Sequence, residues 1–557
     1  MPVEPNAIRY PELVIGIAGP IGIDIDEISR TIEHALDAVD YKTIPIRITD
    51  EIKSEVTEVV CPEDPDYEAL MEYKMDHASA VCRVHKAPDS LMRMAIRAIM
   101  NHRTMAASPE GLDDPNLHPE TASEPPPFQV MPKTAYVIRQ LKRPEEVELL
   151  RRVYGRQFIL ISAYGSAESR KRIIETKLKR SLHLDVLDHV ISAKADGLMF
   201  RDMNEDGDAH GQHLRETFHL ADVFIDGINK AEMEAKTVRF VEALFGRTDI
   251  APTKAEYGMY AAKSAALRSS DLSRQVGAAI FTNDGELITQ GCNEVPKAFG
   301  GTYWDGEDPD YRDVKLGHDP NDVLKREVIR DLLERLERAE LLSDKAKAHG
   351  NSAQIVDALI KKASGDNQPA GTGALYGASI TDLTEYGRVV HAEMCAICDA
   401  ARLGRSVKGA TLYCTTFPCH NCTKHVLAAG IARVVYMEPY PKSKAKELHE
   451  HEIEIERAST TRVSFMPFLG ISPYRYRDIF QKGKRKKDGV ALSWYDQTPR
   501  PMIDVPAPTY LDLESFEVAQ LIGHVQRPST DAVVTVTEPT NEPSKSWWRF
   551  GSGKPTK

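Results

Sequence analysis

Apolar runs and amphipathic stretches alternate along the first 245 residues. "ELVIGIAG" (Glu12–Gly19) has the pattern of a buried strand, and "DIDEISRTIEHALDAV" (Asp24–Val39) follows with Ile25, Ile28, Ile32 and Leu36 at helical spacing. "KTIPIRIT", "AYVIRQL", "QFILISAY" and "LADVFIDG" (Leu220–Gly227) read as further strands, and "AESRKRIIETKLKRSL" as a basic helix. Strands alternating with helices predict a mostly parallel sheet. Residues 108–132, rich in Pro, Glu, Asp and Ser, read as a surface loop within this unit.

A second unit is predicted over residues 253–490. "YGMYAAKSAALRS" is helical, and "QVGAAIFTNDGELITQGCNE" is a strand–turn–strand with Asn283-Asp284-Gly285 at the turn. An insertion at about 303–373 brings an acidic loop and a charged helix with Leu324, Val328, Leu332 and Leu336 on one face. Helix, strand, helix and strand then follow in "HAEMCAICDAARLG", "GATLYCTT", "CHNCTKHVLAAGI" and "ARVVYMEPY". Residues 491–557 form a C-terminal extension, polar, Pro-rich and expected to be disordered from about 526. Its Trp547-Trp548-Arg549-Phe550 is unusual in such a segment.

Composition narrows the class. A chain of 557 residues with 42% hydrophobic and 28% charged residues is globular, with room for two to four domains. The formal net charge of −12 argues against a broad nucleic-acid-binding surface. The longest apolar run, Leu13–Ile23, is interrupted by glycines and a proline and is shorter than the ~20 residues a membrane helix needs. No membrane span and no secretory signal are expected, and the chain reads as cytoplasmic. Of eight cysteines, five fall between Cys395 and Cys422, which points to metal or redox chemistry in a reducing compartment.

The densest chemistry is "FPCHNCTKH" (Phe417–His425). Its C-x-x-C fits a structural zinc, a thiol–disulfide pair or two ligands of a catalytic metal. His391-Ala392-Glu393 lies upstream, with a strand between the two helices that these motifs begin. In a βαβ arrangement both helix N-termini meet one sheet edge, so His391, Cys419 and Cys422 converge. Cys419 and Cys422 share a helix face, and the helix N-terminus favours thiolates. One imidazole and two thiolates leave a tetrahedral zinc with one open position, the catalytic pattern. Glu393, two residues from a ligand, is placed to carry protons. Cys395 and Cys398 form a second C-x-x-C that would suit a closed four-cysteine site, but they lie inside a helix and read as core, as does Cys414. His420 and His425 are spare candidate ligands.

H-x-E followed by P-C-x-x-C resembles the zinc-dependent cytidine/deoxycytidylate deaminase superfamily. "SRQVGAAIFTNDGELITQGCNEVP" (Ser273–Pro296) is similar to that family's substrate-side strands and G-x-N-x-x-P loop. The resemblance implies a cytidine-deaminase-like α/β/α domain with Zn²⁺ on His391, Cys419 and Cys422, and Glu393 as the proton shuttle. It also implies that Asn293 contacts sugar and base, and that the backbone N–H of Ala392 binds the pyrimidine carbonyl.

The overall layout, with "YWDGEDPDYRD", "EDGDAHGQHLRETFHLADVFI" and "FLGISPYRYRDIF", resembles bacterial anti-phage deoxycytidine-nucleotide deaminases that carry a P-loop-kinase-like N-terminal domain. This implies hydrolysis of dCTP, dCMP or both, a homo-oligomer, and restraint by the N-terminal domain, a protein or an RNA. The alternatives are a cytosine deaminase of single-stranded DNA or RNA and a non-catalytic zinc-scaffolded nucleotide sensor. In residues 1–245 the turn "GIAGPIGID", with Gly16, Gly19 and Gly22, has the strand–turn–helix context of a phosphate loop for a second nucleotide. It lacks the lysine and Ser/Thr of the standard loop, so a degenerate nucleotide domain is preferred over a kinase, with a structural turn close behind. "KGKRKK" (Lys482–Lys487) and Arg274 are the candidate cations for a triphosphate.

Overall fold

A computed structural model describes residues 8–107, 130–182, 187–203, 211–361, 373–383, 386–440, 443–495, 498–503, 505 and 508–525. The expected loop at 108–132 lies almost wholly outside these residues, and the Trp547–Phe550 segment wholly so.

Two six-stranded sheets organise the chain. The first contains β1 (Leu13–Ala18), β2 (Lys42–Arg47), β3 (Thr134–Leu141), β4 (Phe158–Tyr164) and β5 (Val223–Asp226), all parallel, in the order 5-4-1-3-2. β1 is buried along its whole length because helices cover both faces of the sheet, as its unbroken apolar run requires. Helix α1 (Ile25–Asp37) buries Ile25, Ile28, Ile32 and Leu36, the stripe predicted from spacing, and the Asp24 carboxylate caps its start.

The second sheet contains β6 (Gly277–Phe281), β7 (Leu287–Cys292), β8 (Thr411–Thr416), β9 (Arg433–Glu438), β10 (Ile453–Ile455) and β11 (Val463–Pro467), in the order 10-11-9-8-6-7. It is mixed: β6 is antiparallel to both β7 and β8, whereas β8, β9, β11 and β10 run parallel. Helix α2 (Lys254–Ala266) packs on one face, while α3 (Ala392–Arg402) and α4 (His420–Ala428) belong to the other core.

These contacts are close because two glycines permit them. A Cβ on Gly277 would lie 1.9 Å from the Ala262 carbonyl oxygen, and one on Gly291 would lie 2.3 Å from that of Ala392. Helix α3 therefore rests directly on β7, with its first residue against Gly291.

The last part of the second unit packs against the first. Gly470–Ile471 pair antiparallel with β5 of the first sheet. Arg475, in the helix that follows, donates to Asp222 at 3.0 Å and to the Phe158 carbonyl. Glu256 holds the junction: its carboxylate accepts from Arg239 at 2.7 and 2.9 Å and from the Ile471 N–H at 2.9 Å.

The C-terminal extension also returns to the first unit. Ile8 bridges to Val505, and the helix Tyr510–Val525 places Glu514 against Arg103. Arg103, Glu12 and Glu514 are each 1% exposed, with Arg103 bonded to Glu514 at 2.5 and 2.9 Å and to Glu12 at 2.8 Å. Burial pushes the Glu514 carboxyl up while the guanidinium pulls it back down.

In the insertion, helix Pro320–Arg338 buries Ile329 and Leu333 against Ile355 and Val356 of a neighbouring short helix. Leu324 and Leu332, expected in the buried stripe, are exposed. Among the described residues no helix is long and apolar enough to cross a membrane.

Removing the shared cation leaves two buried carboxylates, Glu12 and Glu514, without their ion-pair partner, so Arg103→Ala is expected to cost about 3–5 kcal/mol in denaturant unfolding. Gly291→Ala is expected to cost about 1–3 kcal/mol or more by forcing α3 off β7. A Gly291→Ala protein with an unchanged unfolding midpoint would show that the close approach is dispensable.

Candidate metal centre and its cleft

The strand β8 ends at Thr416, and the next residues are fixed from several sides. The Phe417 N–H donates to the Glu438 carbonyl at 2.7 Å, and its ring packs on Tyr436 and Phe465 with centroids 4.9 and 5.4 Å apart. Ser443 Oγ donates to the Pro418 carbonyl at 2.9 Å. Cys419 then caps α4, its sulfur accepting the Cys422 N–H at 3.5 Å, where the helix N-terminus favours a thiolate.

His391 is the N-cap residue of α3. Val390, just before it, exchanges two backbone hydrogen bonds with Glu294, at 3.1 and 3.2 Å. The G-x-N-x-x-P loop after β7 therefore holds His391 from one side while Gly291 seats α3 from below. Neither link shows in the spacing of the metal motif itself. The available signal for the second is Gly291 itself, since a glycine inside a strand marks a close backbone approach.

The structure brings His391, Cys419 and Cys422 together, with their ligand atoms all within 4.8 Å of one another. His391 Nδ1 lies 3.4 Å from each sulfur. Tetrahedral zinc, with Zn–S about 2.3 Å and Zn–N about 2.0–2.1 Å, sets nitrogen–sulfur separations at about 3.5 Å, so this donor set fits zinc. Among the described residues it is the only such cluster of three His, Cys, Asp or Glu side chains.

The charges are coupled. A hydrogen bond from the Cys422 thiol, with His391 beside it, pulls Cys419 down to about 4. The same contact with Cys419, together with burial, pushes Cys422 up. His391 is raised by its contact with the Cys419 sulfur. Without metal the trio is thus a thiolate, a thiol and an imidazole that favours its proton.

Glu393 is buried, with Oε2 3.4 Å from the Cys422 sulfur, and burial pushes its carboxyl up. It lines a cleft of about 300 Å³ shared with His391, Ala392, Asn293, Phe417 and Cys419. Ala392 is the first residue of α3, where backbone N–H groups have no partner inside the helix.

Asn293 also lines the cleft, but both ends of its amide are already engaged. Oδ1 accepts the Val276 N–H at 2.7 Å, and Nδ2 donates to the Arg274 carbonyl at 2.6 Å. The structure thus gives Asn293 a bracing task that the sequence did not reveal.

His420 reaches the cleft wall, with a buried Nδ1 that has no hydrogen-bond partner, whereas His425 does not line it. Cys395 is core as expected. Cys398 is exposed, contrary to its reading as a core residue, because it sits on the outer face of α3. None of Lys482–Lys487 lines the cleft, and Lys482 donates instead to the Arg247 carbonyl at 2.9 Å.

The glycine turn of the first unit is differently built from a phosphate loop. Gly16 lies inside β1 rather than in the turn, and a Cβ there would meet Leu141 and Phe158 at 3.1 Å. Ile23 fills the space over Gly19, Gly165 and Gly227, and Gly22 has φ +95° against Arg170. A lysine does reach the turn, but from the residue after β3: Lys142 donates to the Gly19 carbonyl and to Asp202, both at 2.7 Å. Asp202 also takes the Ile21 N–H at 2.7 Å. One backbone donor of the turn is thus bonded to the chain's own carboxylate.

Residues 252–438 match the sequence profile of the cytidine and deoxycytidylate deaminase zinc-binding region. The deoxycytidylate deaminase of Enterobacteria phage T4 is 49% identical over 55 residues, which is 10% of this chain and 28% of that protein. ComE operon protein 2 of Bacillus subtilis (strain 168) is 42% identical over 64 residues, 11% of this chain and 34% of the relative. Human deoxycytidylate deaminase is 41% identical over 54 residues, 10% and 29% of the two chains. The match thus spans about a third or less of each of these relatives. Among solved structures, the apo dCMP deaminase from cyanophage S-TIM5 aligns at 16% identity and a TM-score of 0.20, covering 39% of this chain and 100% of that one. Residues 252–438, about a third of this chain, are thus similar to the zinc-binding region of cytidine and deoxycytidylate deaminases.

Proposed function

We propose that the chain hydrolytically deaminates free deoxycytidine nucleotides, dCMP, dCTP or both, to the deoxyuridine nucleotide and ammonia. The observation that carries this reading is the His391–Cys419–Cys422 cluster with Glu393 beside it in one cleft. The short stretches shared with deoxycytidylate deaminases support the choice of base and sugar.

His391 Nδ1 and the sulfurs of Cys419 and Cys422 would hold zinc, which when bound supplies a Lewis acid that makes water a nucleophile near neutral pH. The remaining work falls to the protein. Burial raises the Glu393 carboxyl above the ordinary carboxylate range, which favours its holding a proton. Glu393 takes one proton as water adds to C4 and gives it to ring N3, then takes the second from the new C4 hydroxyl and gives it to the amino group, so that the C4–N bond breaks, ammonia leaves and a C4 carbonyl remains. The Ala392 N–H, at the positive end of α3, orients the pyrimidine carbonyl. The buried walls around Phe417 exclude bulk water from the reacting atoms.

Asp271, Asp313, Asp319 and Asp382 line the same cleft and, with the net charge of −12, disfavour a polymeric polyanion. That favours a free nucleotide over single-stranded DNA or RNA. Draining dCTP from a phage-infected cell is the consequence that the sequence resemblance implies. The first unit is assigned a supporting role, since its glycine turn is bonded to Asp202 and Lys142.

The test is ammonia release by the zinc-loaded chain from deoxycytidine, dCMP, dCTP and single-stranded DNA. Turnover of the free nucleotides is expected, falling at least about 100-fold in Glu393→Gln with metal content retained. Deamination of the polymer alone would overturn the reading. Full function in Glu393→Gln would favour a non-catalytic sensor.

A further inference from the structure

The cleft has two side chains with permanent positive charge, Arg274 and Arg388, and they are not equivalent. Arg388 is doubly committed: Nε and Nη2 both bond Asp313, the former at 3.0 Å, and Nη2 also donates to the Tyr311 carbonyl at 2.7 Å. Asp313 is itself buried, so releasing Arg388 would strand a buried carboxylate.

Arg274 is different. Its side chain is half exposed, makes one ion pair through Nη1 to Glu438 at 2.7 Å, and lies over the Tyr440 ring at 5.6 Å. Its backbone, by contrast, is pinned. Asn293 bonds the Arg274 carbonyl and the Val276 N–H, Gln275 donates to the Ser269 carbonyl at 2.8 Å, and Glu294 accepts from Ser270 N–H and Oγ at 2.9 and 2.7 Å. A half-exposed guanidinium fork with a single ion pair is thus rooted on a braced segment that lines the cleft. An exposed ion pair of this kind contributes little and is readily exchanged. Asp271 and Asp319 add negative charge elsewhere on the cleft wall.

We propose that Arg274 is the residue that recognises the substrate's phosphate, trading Glu438 for phosphate oxygens while Asn293 and Glu294 hold its backbone in place. A guanidinium fork matches phosphate oxygens in two parallel hydrogen bonds. This rests on the deaminase reading above and adds to it the means of telling a nucleotide from a nucleoside.

The experiment measures kcat and KM of the full zinc-loaded chain on deoxycytidine, dCMP and dCTP, for wild type, Arg274→Lys and Arg274→Gln. Calorimetric titration with dUMP and with deoxyuridine accompanies it. In Arg274→Gln the ratio of kcat/KM for dCMP to that for deoxycytidine is expected to fall about ten- to hundredfold, mostly through KM, with a matching loss of dUMP affinity relative to deoxyuridine. Arg274→Lys, which keeps the charge but not the fork, is expected to fall between. A ratio unchanged from wild type, or equal losses on all three substrates, would overturn the assignment while leaving the deaminase reading intact. A wild-type chain inactive on all three substrates would overturn both.

Discussion

A missing side chain governs the geometry of the candidate centre. With no Cβ at Gly291, the first turn of the helix carrying His391 and Glu393 settles onto strand β7, and the Ala392 carbonyl occupies the space a methyl group would need. The next residues of the same strand then turn into the loop whose Glu294 pairs with Val390. Seat and clamp come from one stretch, Gly291–Glu294, and together they deliver the imidazole to the two sulfurs of α4. Gly277 repeats the device on the opposite face, letting α2 approach β6. Packing at backbone distance transmits displacement with little slack, so the metal ligands inherit the rigidity of the sheet.

Electrostatics then divides the cleft into zones. Around the metal cluster, hydrogen bonding and burial split the two thiols, drawing Cys419 down and Cys422 up, while Glu393 is raised chiefly by burial. Elsewhere on the cleft wall, carboxylates outnumber the guanidinium groups, and Arg274 is the one with a loosely held charge. The cluster concerns the reaction and the wall concerns the substrate, and Asn293 connects them by holding the Arg274 segment on the same loop as Glu294.

Much of this was legible in the sequence where local patterns carry the signal. The buried face of α1, strands β1 to β9 and the convergence of His391, Cys419 and Cys422 follow from periodicity and spacing, whereas β10, β11 and the short Gly470–Ile471 strand carried no such signal. The losses have physical reasons. Helix Pro320–Arg338 buries a narrow seam through Ile329 and Leu333 against short neighbouring segments, and Leu324 and Leu332 beside it stay exposed. Glu514 and Arg103 look like surface charges until the fold brings together residues that lie 411 positions apart. Likewise, no local pattern announces that Lys142 and Asp202 meet at the glycine turn, because the two arrive from different elements. Composition gave the C-terminal extension a polar character but not the cluster of buried carboxylates through which its helix docks.

The central claim is that two sulfurs and one imidazole, brought together by Gly291–Glu294 and the cap of α4, form a catalytic zinc centre. Zinc K-edge absorption on the purified full-length chain tests it most directly. The account predicts one zinc per chain, with a first shell containing two sulfur scatterers and one imidazole nitrogen, and loss of that signal in a Cys419→Ser, Cys422→Ser double variant. A four-sulfur shell, or a chain that retains no zinc while folded, would contradict it.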